Sequence, residues 1–299
     1  DKAEEISAML GIPLFEVLAH ADEYQPLAKK CRPLMEFAQM IERIQQTLPT
    51  DRYPLTVDYV DENEDPVERA LHLSREKKPA GLLFLGGDRR MYAKSFGEIT
   101  LTTDAARLGF DNLSSVTTDD VEAAECAMEY LLESGHRRIG VIAGDLSCSG
   151  PSRLRYEGCL LALERCGLTL PDECCATARY AFQDGYDAAL RLLEQPGLTA
   201  IFAMSDVMAI GAMRALHDRG LRIPEDISVI GFDGLELGEF YTPKLTTIRQ
   251  QASLLVDRGV ALLLGTLERG AVARHETVPF TLAVRESTSH PPRKDGTNS

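Results

Sequence analysis

From about residue 54 onward, the chain alternates short apolar runs with segments whose apolar residues recur every three or four positions. The runs 54–60 (PLTVDYV) and 80–87 (AGLLFLGG) are typical of buried strands. Segment 66–78 between them has the 3.6-residue period of a helix that covers a sheet. This order predicts a strand-helix-strand unit.

The same unit recurs at 117–144 with clearer boundaries. Thr118 or Asp119 is placed to cap a helix, Gly135 to end it, and the apolar run IGVIAG follows. Further helices and strands alternate in the segments SRLRYEGCLLALERCG, DGYDAALRLLEQ, TAIFAM, DVMAIGAMRALHDRG and DISVIGF. The pattern predicts an α/β protein with mostly parallel sheets flanked by helices, doubled into two similar lobes. A last helix at 249–270 precedes two strand-like pieces at 275–287, as expected for a chain that crosses between lobes.

Composition argues against some classes of function and some cellular locations. The 299 residues, 44% of them apolar, suffice for two lobes, and the net charge of −14 argues against broad contact with phosphates, so any DNA contact requires a small dedicated module. Seven scattered cysteines without a Cys-x-x-Cys pair indicate reduced thiols. Because no apolar run has the length of a membrane span and no signal segment is evident, we expect a cytoplasmic protein that does not contact a membrane.

Polar residues stand where predicted strands end, which is where open α/β sheets bind ligands. Ser205 and Asp206 follow one strand, and a helix N-cap is the simpler explanation for both. Asp233 follows another strand without a clear helix after it, which favours contact with ligand hydroxyls. Arg155 lies in the first turn of a helix, where a second positive charge suits a ligand better than it suits the helix dipole, although a solvated charge is the alternative.

Enzyme and metal sites have little support. The sequence contains no nucleophile elbow, no phosphate-binding loop and no dinucleotide fingerprint. Its six histidines form no cluster, and the acidic run 61–65 is followed by Pro66 where a calcium loop needs glycine. We therefore expect no catalytic residue, no metal and no cofactor.

These segments together resemble the lactose/galactose-repressor family of bacterial transcription regulators. The stretch SSVTTDDVEAAECAMEYLLESGHRRIGVIAG, the helix SRLRYEGCLLAL, the run GLRIPEDISVIGFD and the motif YTPKLTTIRQ carry the resemblance, which extends over 54–288. It implies an effector core like that of the periplasmic sugar-binding proteins (type I), with crossing strands as a hinge. The implied division places a partial helix-turn-helix and hinge remnant at 1–30, the N-terminal lobe at 31–136 plus 248–271, the C-terminal lobe at 137–247 plus 272–290, and a tail at 291–299.

The resemblance also implies five ligand-binding residues. Arg155 matches a ligand-binding arginine, and Asp233 matches a carboxylate that holds effector hydroxyls or ring nitrogens. Ser205 stands where many members have asparagine, which leaves the hydrogen-bond pattern to the ligand different. Tyr180 matches an aromatic placed against the ligand, and Gln250 a residue that faces the cleft in some members. Segment 240–247 matches a region near the dimer contact.

The N-terminus departs from the family. Ser7, Gly11 and Val17 keep the spacing of a helix-turn-helix, and 24–30 resembles the link to a hinge helix, but about twenty residues between them are missing. Either the headpiece is degenerate and the protein is a sensor without DNA activity, or the sequence is the ordered part of a longer chain. Two further departures lie in the core, at 31–48, which passes from strand to helix with almost no turn, and at 99–104, which lacks the expected proline and hydrophobic strand. We expect the second explanation, because all three departures fall where the family has a flexible loop.

The leading hypothesis is a homodimeric DNA-binding regulator, a repressor, whose core binds a small sugar-like metabolite and couples it to operator DNA binding. An extracytoplasmic solute-binding protein of a sugar transporter is the alternative, and unpaired cysteines and the helix-turn-helix remnant weigh against it. An enzyme on the same architecture is a third class, without a supporting motif.

Overall fold

The computed structural model describes residues 37, 39–58, 66–86, 99–102, 113–147 and 150–292. The chain divides into two units, residues 1–64 and 65–299. In the first, residues 39–47 form helix α1, and residues 54–58 adopt no regular structure. The strand predicted from residue 54 is therefore wrong over those residues. Most residues of 54–58, including Val57, are exposed. Their apolar side chains therefore have no buried surface to pack against, and the alternating pattern does not stabilise a strand.

The second unit contains seven helices and ten strands within its described residues. The helices are α2 (Pro66–Lys77), α3 (Asp120–Glu133), α4 (Pro151–Arg165), α5 (Phe182–Leu192), α6 (Asp206–Asp218), α7 (Leu237–Phe240) and α8 (Ala252–Arg269). The strands are β1 (Leu82–Leu85), β2 (Ile99–Thr102), β3 (Ser114–Thr118), β4 (Ile139–Ala143), β5 (Cys175–Thr177), β6 (Ala200–Ala203), β7 (Ser228–Asp233), β8 (Thr246–Gln250), β9 (His275–Val278) and β10 (Phe280–Ala283). A 3-10 turn at Asp172–Cys174 precedes β5.

The larger sheet has the strand order β10-β8-β7-β6-β4-β5. Its pairings are parallel except that of β10 with β8. Every residue of β4 and β6 is buried, as a parallel strand covered on both faces requires. Helix α3 packs against α4 and α5 against α6, and the core includes the fully buried rings of Phe202 and Phe232.

The smaller sheet has the order β1-β2-β3-β9. Here β1 pairs with β2 and β2 with β3 in the antiparallel sense, and β3 pairs with β9 in the parallel sense. Helix α8 packs on β2 and β3. The mostly parallel arrangement expected for each lobe thus describes the larger sheet, whereas two of the three pairings described in the smaller one are antiparallel.

The chain passes between the two sheets three times within the described residues. The crossovers are 118–120, from β3 to α3; 250–252, from β8 to α8; and 278–280, from β9 to β10. Helix α3 therefore packs with the larger sheet and β9 with the smaller one, so these groupings differ from the lobe boundaries expected at 136 and 271.

Helix boundaries agree with the local signals. Asp119 caps α3, its side chain accepting a hydrogen bond from the backbone N–H of Glu122 at 3.0 Å, and Gly135 follows the helix with φ of 100°. No helix in the described part of the chain is long and apolar enough to cross a membrane.

Candidate functional site

Three of the five predicted site residues, Arg155, Asp233 and Gln250, lie together at the carboxyl ends of strands. The Arg155 Nε donates to Asp120 Oδ1 at 2.7 Å, and its Nη1 donates to the carbonyl oxygen of Met204 at 2.7 Å. The same Nη1 lies 3.6 Å from Asp233 Oδ1. Arg155 and Asp120 are almost fully buried, at 4% and 1% side-chain exposure. A charge buried this deeply is stable only when hydrogen bonds and an opposite charge replace its lost hydration.

The ring of Phe232 covers the guanidinium of Arg155, whose central carbon lies 3.6 Å from the ring centroid. An arginine on an aromatic face is stabilised by the ring quadrupole, more strongly where water is excluded. Arg155 is therefore not the solvated surface charge that the sequence left as an alternative. Its position is fixed before any ligand arrives.

Asp233 is the accessible carboxylate of this group. Its side chain is 24% exposed, and its backbone φ of 112° is one that residues other than glycine rarely adopt. The Gln250 Nε2 donates to Asp233 Oδ1 at 3.0 Å, and the Thr118 hydroxyl donates to Gln250 Oε1 at 2.8 Å. Because Thr118 ends β3 and Gln250 ends β8, these contacts join the two sheets.

Tyr180 lies beside this group. Its hydroxyl shares a 2.5 Å hydrogen bond with Ser152 Oγ, and burial raises the pKa of the phenol. A Cβ on Gly144 would lie 2.8 Å from the Tyr180 hydroxyl, so the end of β4 has room for the ring only because residue 144 is glycine. Tyr180 is thereby held in place.

The structure gives Ser205 and Asp206 different roles, and only Ser205 has the N-cap role expected for both. Ser205 is the N-cap of α6, its Oγ accepting from the Met208 N–H at 3.2 Å, and it is fully buried. The capping role expected for Asp206 is wrong. Asp206 accepts instead from the Thr247 hydroxyl and the Leu235 N–H, both at 2.6 Å, and so ties the start of α6 to β7 and β8. The ligand contact of Ser205 stays a prediction.

Burial destabilises the ionised carboxylates of Asp206 and Asp233, which both lie at this edge of the larger sheet. It raises the pKa of Asp206 to about 8, with the Asp233 charge as a further cause. Burial likewise raises the pKa of Asp233 to about 6, although Arg155 and the Gln250 amide oppose the shift. Near neutral pH, Asp206 is therefore predominantly protonated in the folded protein.

This proton gives the fold a pH dependence, which Asp206→Asn should reduce. Between about pH 5 and pH 7 the folded chain holds a proton on Asp206 that the unfolded chain has lost, so stability falls as pH rises. One such proton contributes a slope of up to about 1.4 kcal/mol per pH unit. We expect urea unfolding of Asp206→Asn across this range to show a flatter dependence on pH.

Asp226→Asn is the matched control. Hydrogen bonds from Arg222 lower the pKa of this partly exposed carboxyl to about 2, so it titrates below the range tested. Its replacement should leave the slope of stability against pH unchanged. An unaltered slope in Asp206→Asn would contradict the assignment of the proton.

Sequence reasoning missed two residues of this group, Asp120 and Thr118. Asp120 is at the first position of α3, where an acid is explained by the helix dipole alone, and Thr118 was considered only as a cap. The partners of both lie far along the chain. No local signal could have assigned them.

Asp145, which follows β4, lies apart from this group. Its carboxylate accepts hydrogen bonds from the N–H and the hydroxyl of Ser147 and lines a separate cavity of about 370 Å³ beside α5. In the described part of the chain, no set of three acidic, histidine or cysteine side chains could hold a metal ion, and the cysteines are free thiols. Ser7, Gly11 and Val17, the proposed helix-turn-helix positions, lie outside the described residues.

Two joined α/β sheets with polar groups at their strand ends define a periplasmic binding protein-like domain, and residues 128–288 match the model of that family. The chain is 30% identical to the transcriptional repressor PurR of Pasteurella multocida over 83% of this chain and 77% of that protein. It is 31% identical to the ribose operon repressor of Escherichia coli over 76% and 70%. A regulator from Mycobacterium smegmatis superposes with a TM-score of 0.72 at 25% identity over 86% and 95%.

These matches define the family. The chain belongs to the lactose/galactose-repressor (LacI) family of transcription regulators. The resemblance carried by the sequence motifs is therefore confirmed, and a repressor is favoured over the transporter alternative, because the two relatives from Pasteurella multocida and Escherichia coli are repressors.

Proposed function

We propose that this protein is a cytoplasmic, homodimeric repressor. Its core binds a small sugar-like effector at Asp233, and effector binding changes the affinity of the protein for operator DNA. The observation that carries the proposal is the contact chain from Asp233 through Gln250 to Thr118, which connects an accessible carboxylate to both sheets. A ligand changes a conformational equilibrium only by interacting differently with its states, and a site that joins two bodies meets that condition.

Each predicted residue has a role in this proposal. Asp233 accepts hydrogen bonds from effector hydroxyls, and Arg155 holds the charge and position of Asp233. Tyr180 offers an aromatic face, Gln250 a polar contact, and Ser205 a secondary hydrogen-bonding group. The N-terminal segment supplies the DNA contact, since the acidic core is unsuited to phosphates. Segment 240–247 supplies part of the dimer contact, which the exposure of Phe240, 77%, supports.

The decisive experiment identifies an effector through its effect on stability. Ribose and other pentoses, hexoses, disaccharides and nucleobases are screened for a rise in melting temperature of the full chain, because a ligand that binds only the folded state stabilises it by mass action. An effector found in this way is then tested for its effect on binding to DNA selected from a random library. If no DNA is selected, or if the effector leaves DNA binding unchanged, the repressor proposal fails.

Asp233→Asn should weaken effector binding by about tenfold or more, measured by calorimetry. A hydrogen bond to a charged group contributes about 1.5–3 kcal/mol, and 1.4 kcal/mol corresponds to a factor of ten. The control is Asp145→Asn at the end of β4, whose carboxylate bonds its own loop. It should leave affinity within twofold. Equal affinities for both variants would remove Asp233 from the site.

A further inference from the structure

Two of the three crossovers between the sheets carry residues of the buried polar group. Crossover 118–120 contributes Thr118 and Asp120, and crossover 250–252 contributes Gln250. Thr118 reaches Asp233 through the Gln250 amide, and Asp120 reaches it through Arg155. Because Thr118 and Asp120 are two residues apart in the sequence, the contacts form a closed ring around the start of α3.

The Gln250 amide has a defined orientation in this ring of contacts, because its two ends have different partners. Its oxygen accepts from the Thr118 hydroxyl, and its nitrogen donates to Asp233 Oδ1. A carboxamide does both at once through two different atoms, whereas a carboxylate cannot donate and a hydrocarbon can do neither. A change at Asp233 therefore alters the orientation of the amide that Thr118 holds.

The proposed effector site includes this oxygen. Asp233 Oδ1 already accepts a hydrogen bond from the Gln250 amide at 3.0 Å and lies 3.6 Å from Arg155 Nη1. A ligand donor that binds Oδ1 shares its two lone pairs with the Gln250 amide, and a donor that binds Oδ2 changes the charge that this amide faces. Occupancy of the site thus changes contacts at both crossovers.

We infer that Thr118 is a positioning residue of the effector response: its hydroxyl, acting through Gln250, transmits the occupancy of Asp233 to the crossovers at 118–120 and 250–252 without contacting the ligand. The inference rests on the proposed function for its ligand. It assigns Thr118 a role different from that of Asp233, since its loss should change the response to the effector and leave effector affinity nearly intact.

The test uses the full chain with Thr118→Val, which removes the hydroxyl and preserves the shape of the side chain. The matched control is Thr117→Val on the same strand, whose hydroxyl donates to the backbone oxygen of Thr118. The rescue variant is Thr118→Ser, which restores the donor. Hydrogen exchange of the amides at 119–121 and 251–253 is measured without ligand, so this readout needs neither the effector nor the operator.

We expect Thr118→Val to speed exchange at both crossovers at least threefold, and Thr117→Val and Thr118→Ser to resemble the unmodified chain. Acceleration at neither crossover, or at 119–121 alone, would overturn the inference while leaving the proposed function intact. If Thr118→Val fails to fold, Gln250→Glu, which replaces the donor by a second carboxylate facing Asp233, is used with the same expectation.

The second readout is the factor by which the effector changes operator affinity. Couplings in allosteric proteins are typically about 5–150-fold. Thr118→Val should reduce this factor at least threefold while effector affinity stays within threefold, and Thr118→Ser should restore it. A loss of effector affinity with an unchanged coupling factor would make Thr118 a ligand contact and overturn the inference. Absence of any effector or operator contradicts the proposed function, and hydrogen exchange then decides on Thr118 alone.

Discussion

Replacing Arg155 with methionine should lower the free energy of unfolding by about 3–5 kcal/mol, the range found when one partner of a buried ion pair is removed. Methionine keeps the apolar stem but leaves Asp120 and Asp233 in a buried site without their guanidinium. The carbonyl of Met204 also loses its donor. Urea unfolding at pH 7 measures the loss, and the melting temperature should fall accordingly.

Two further variants make the Arg155 result specific. Arg153→Met replaces an exposed arginine in the same turn, whose contact is with the Tyr156 ring at 5.9 Å, and should change stability by no more than about 0.5 kcal/mol. Adding Asp120→Asn to Arg155→Met should recover part of the loss, because it removes one buried charge. Equal midpoints for Arg155→Met and Arg153→Met would show that the buried charges do not depend on Arg155.

Gly211→Ala should destabilise the protein by about 3 kcal/mol, at the upper end of the cost of overpacking. Helices α5 and α6 touch here through their backbones: a Cβ on Gly211 would overlap the carbonyl oxygen of Phe182 and lie 2.9 Å from the Tyr186 nitrogen. Gly185 faces the backbone of Met208 in the same way. Since backbone atoms cannot rotate aside, the helices must separate.

The sign of this effect is informative. In a helix interior without such a contact, alanine is more favourable than glycine by up to about 1 kcal/mol. The control is Gly150→Ala at the N-cap of α4, where φ is −102° and no atom lies within 4 Å of the added Cβ, so a loss of no more than about 1 kcal/mol is expected from the poorer cap alone. Thermal unfolding of both variants measures the difference. A stabilised Gly211→Ala would show that α5 and α6 can move apart at little cost.

The parts of the fold that depend on neighbouring residues were predictable. Asp119 and Gly135 bound α3 because caps act within one turn of the helix. The direction of strand pairing was not, since an apolar run in a strand does not specify its neighbour. The antiparallel pairs of β1 with β2 and of β2 with β3 show this.

The residues of the candidate site likewise divide into those that the local sequence predicts and those whose roles depend on distant partners. Asp233 could be proposed as an accessible carboxylate because a strand and a glycine bracket it in the sequence. The sequence could not distinguish Ser205 from Asp206 because serine and aspartate are both good N-caps, and their roles differ only through partners 29 and 41 residues from Asp206. The role of Asp120 could not be predicted, because it depends on a hydrogen bond from Arg155, 35 residues away, that forms only in the folded chain.

The triple crossover also dictates the order in which the protein can be completed during synthesis. Strand β3 obtains its parallel neighbour β9 only after some 160 further residues have been translated, as the bond between Ser115 and His275 illustrates. Strand β8 receives β10 in the same late stretch. Until then β3 and β8 each present unpaired backbone groups, the kind of surface that attracts other chains. Ribosomal release of residues 275–283 lets both strands pair at the same stage, so nascent chains stalled before this point should be the ones that chaperones retain.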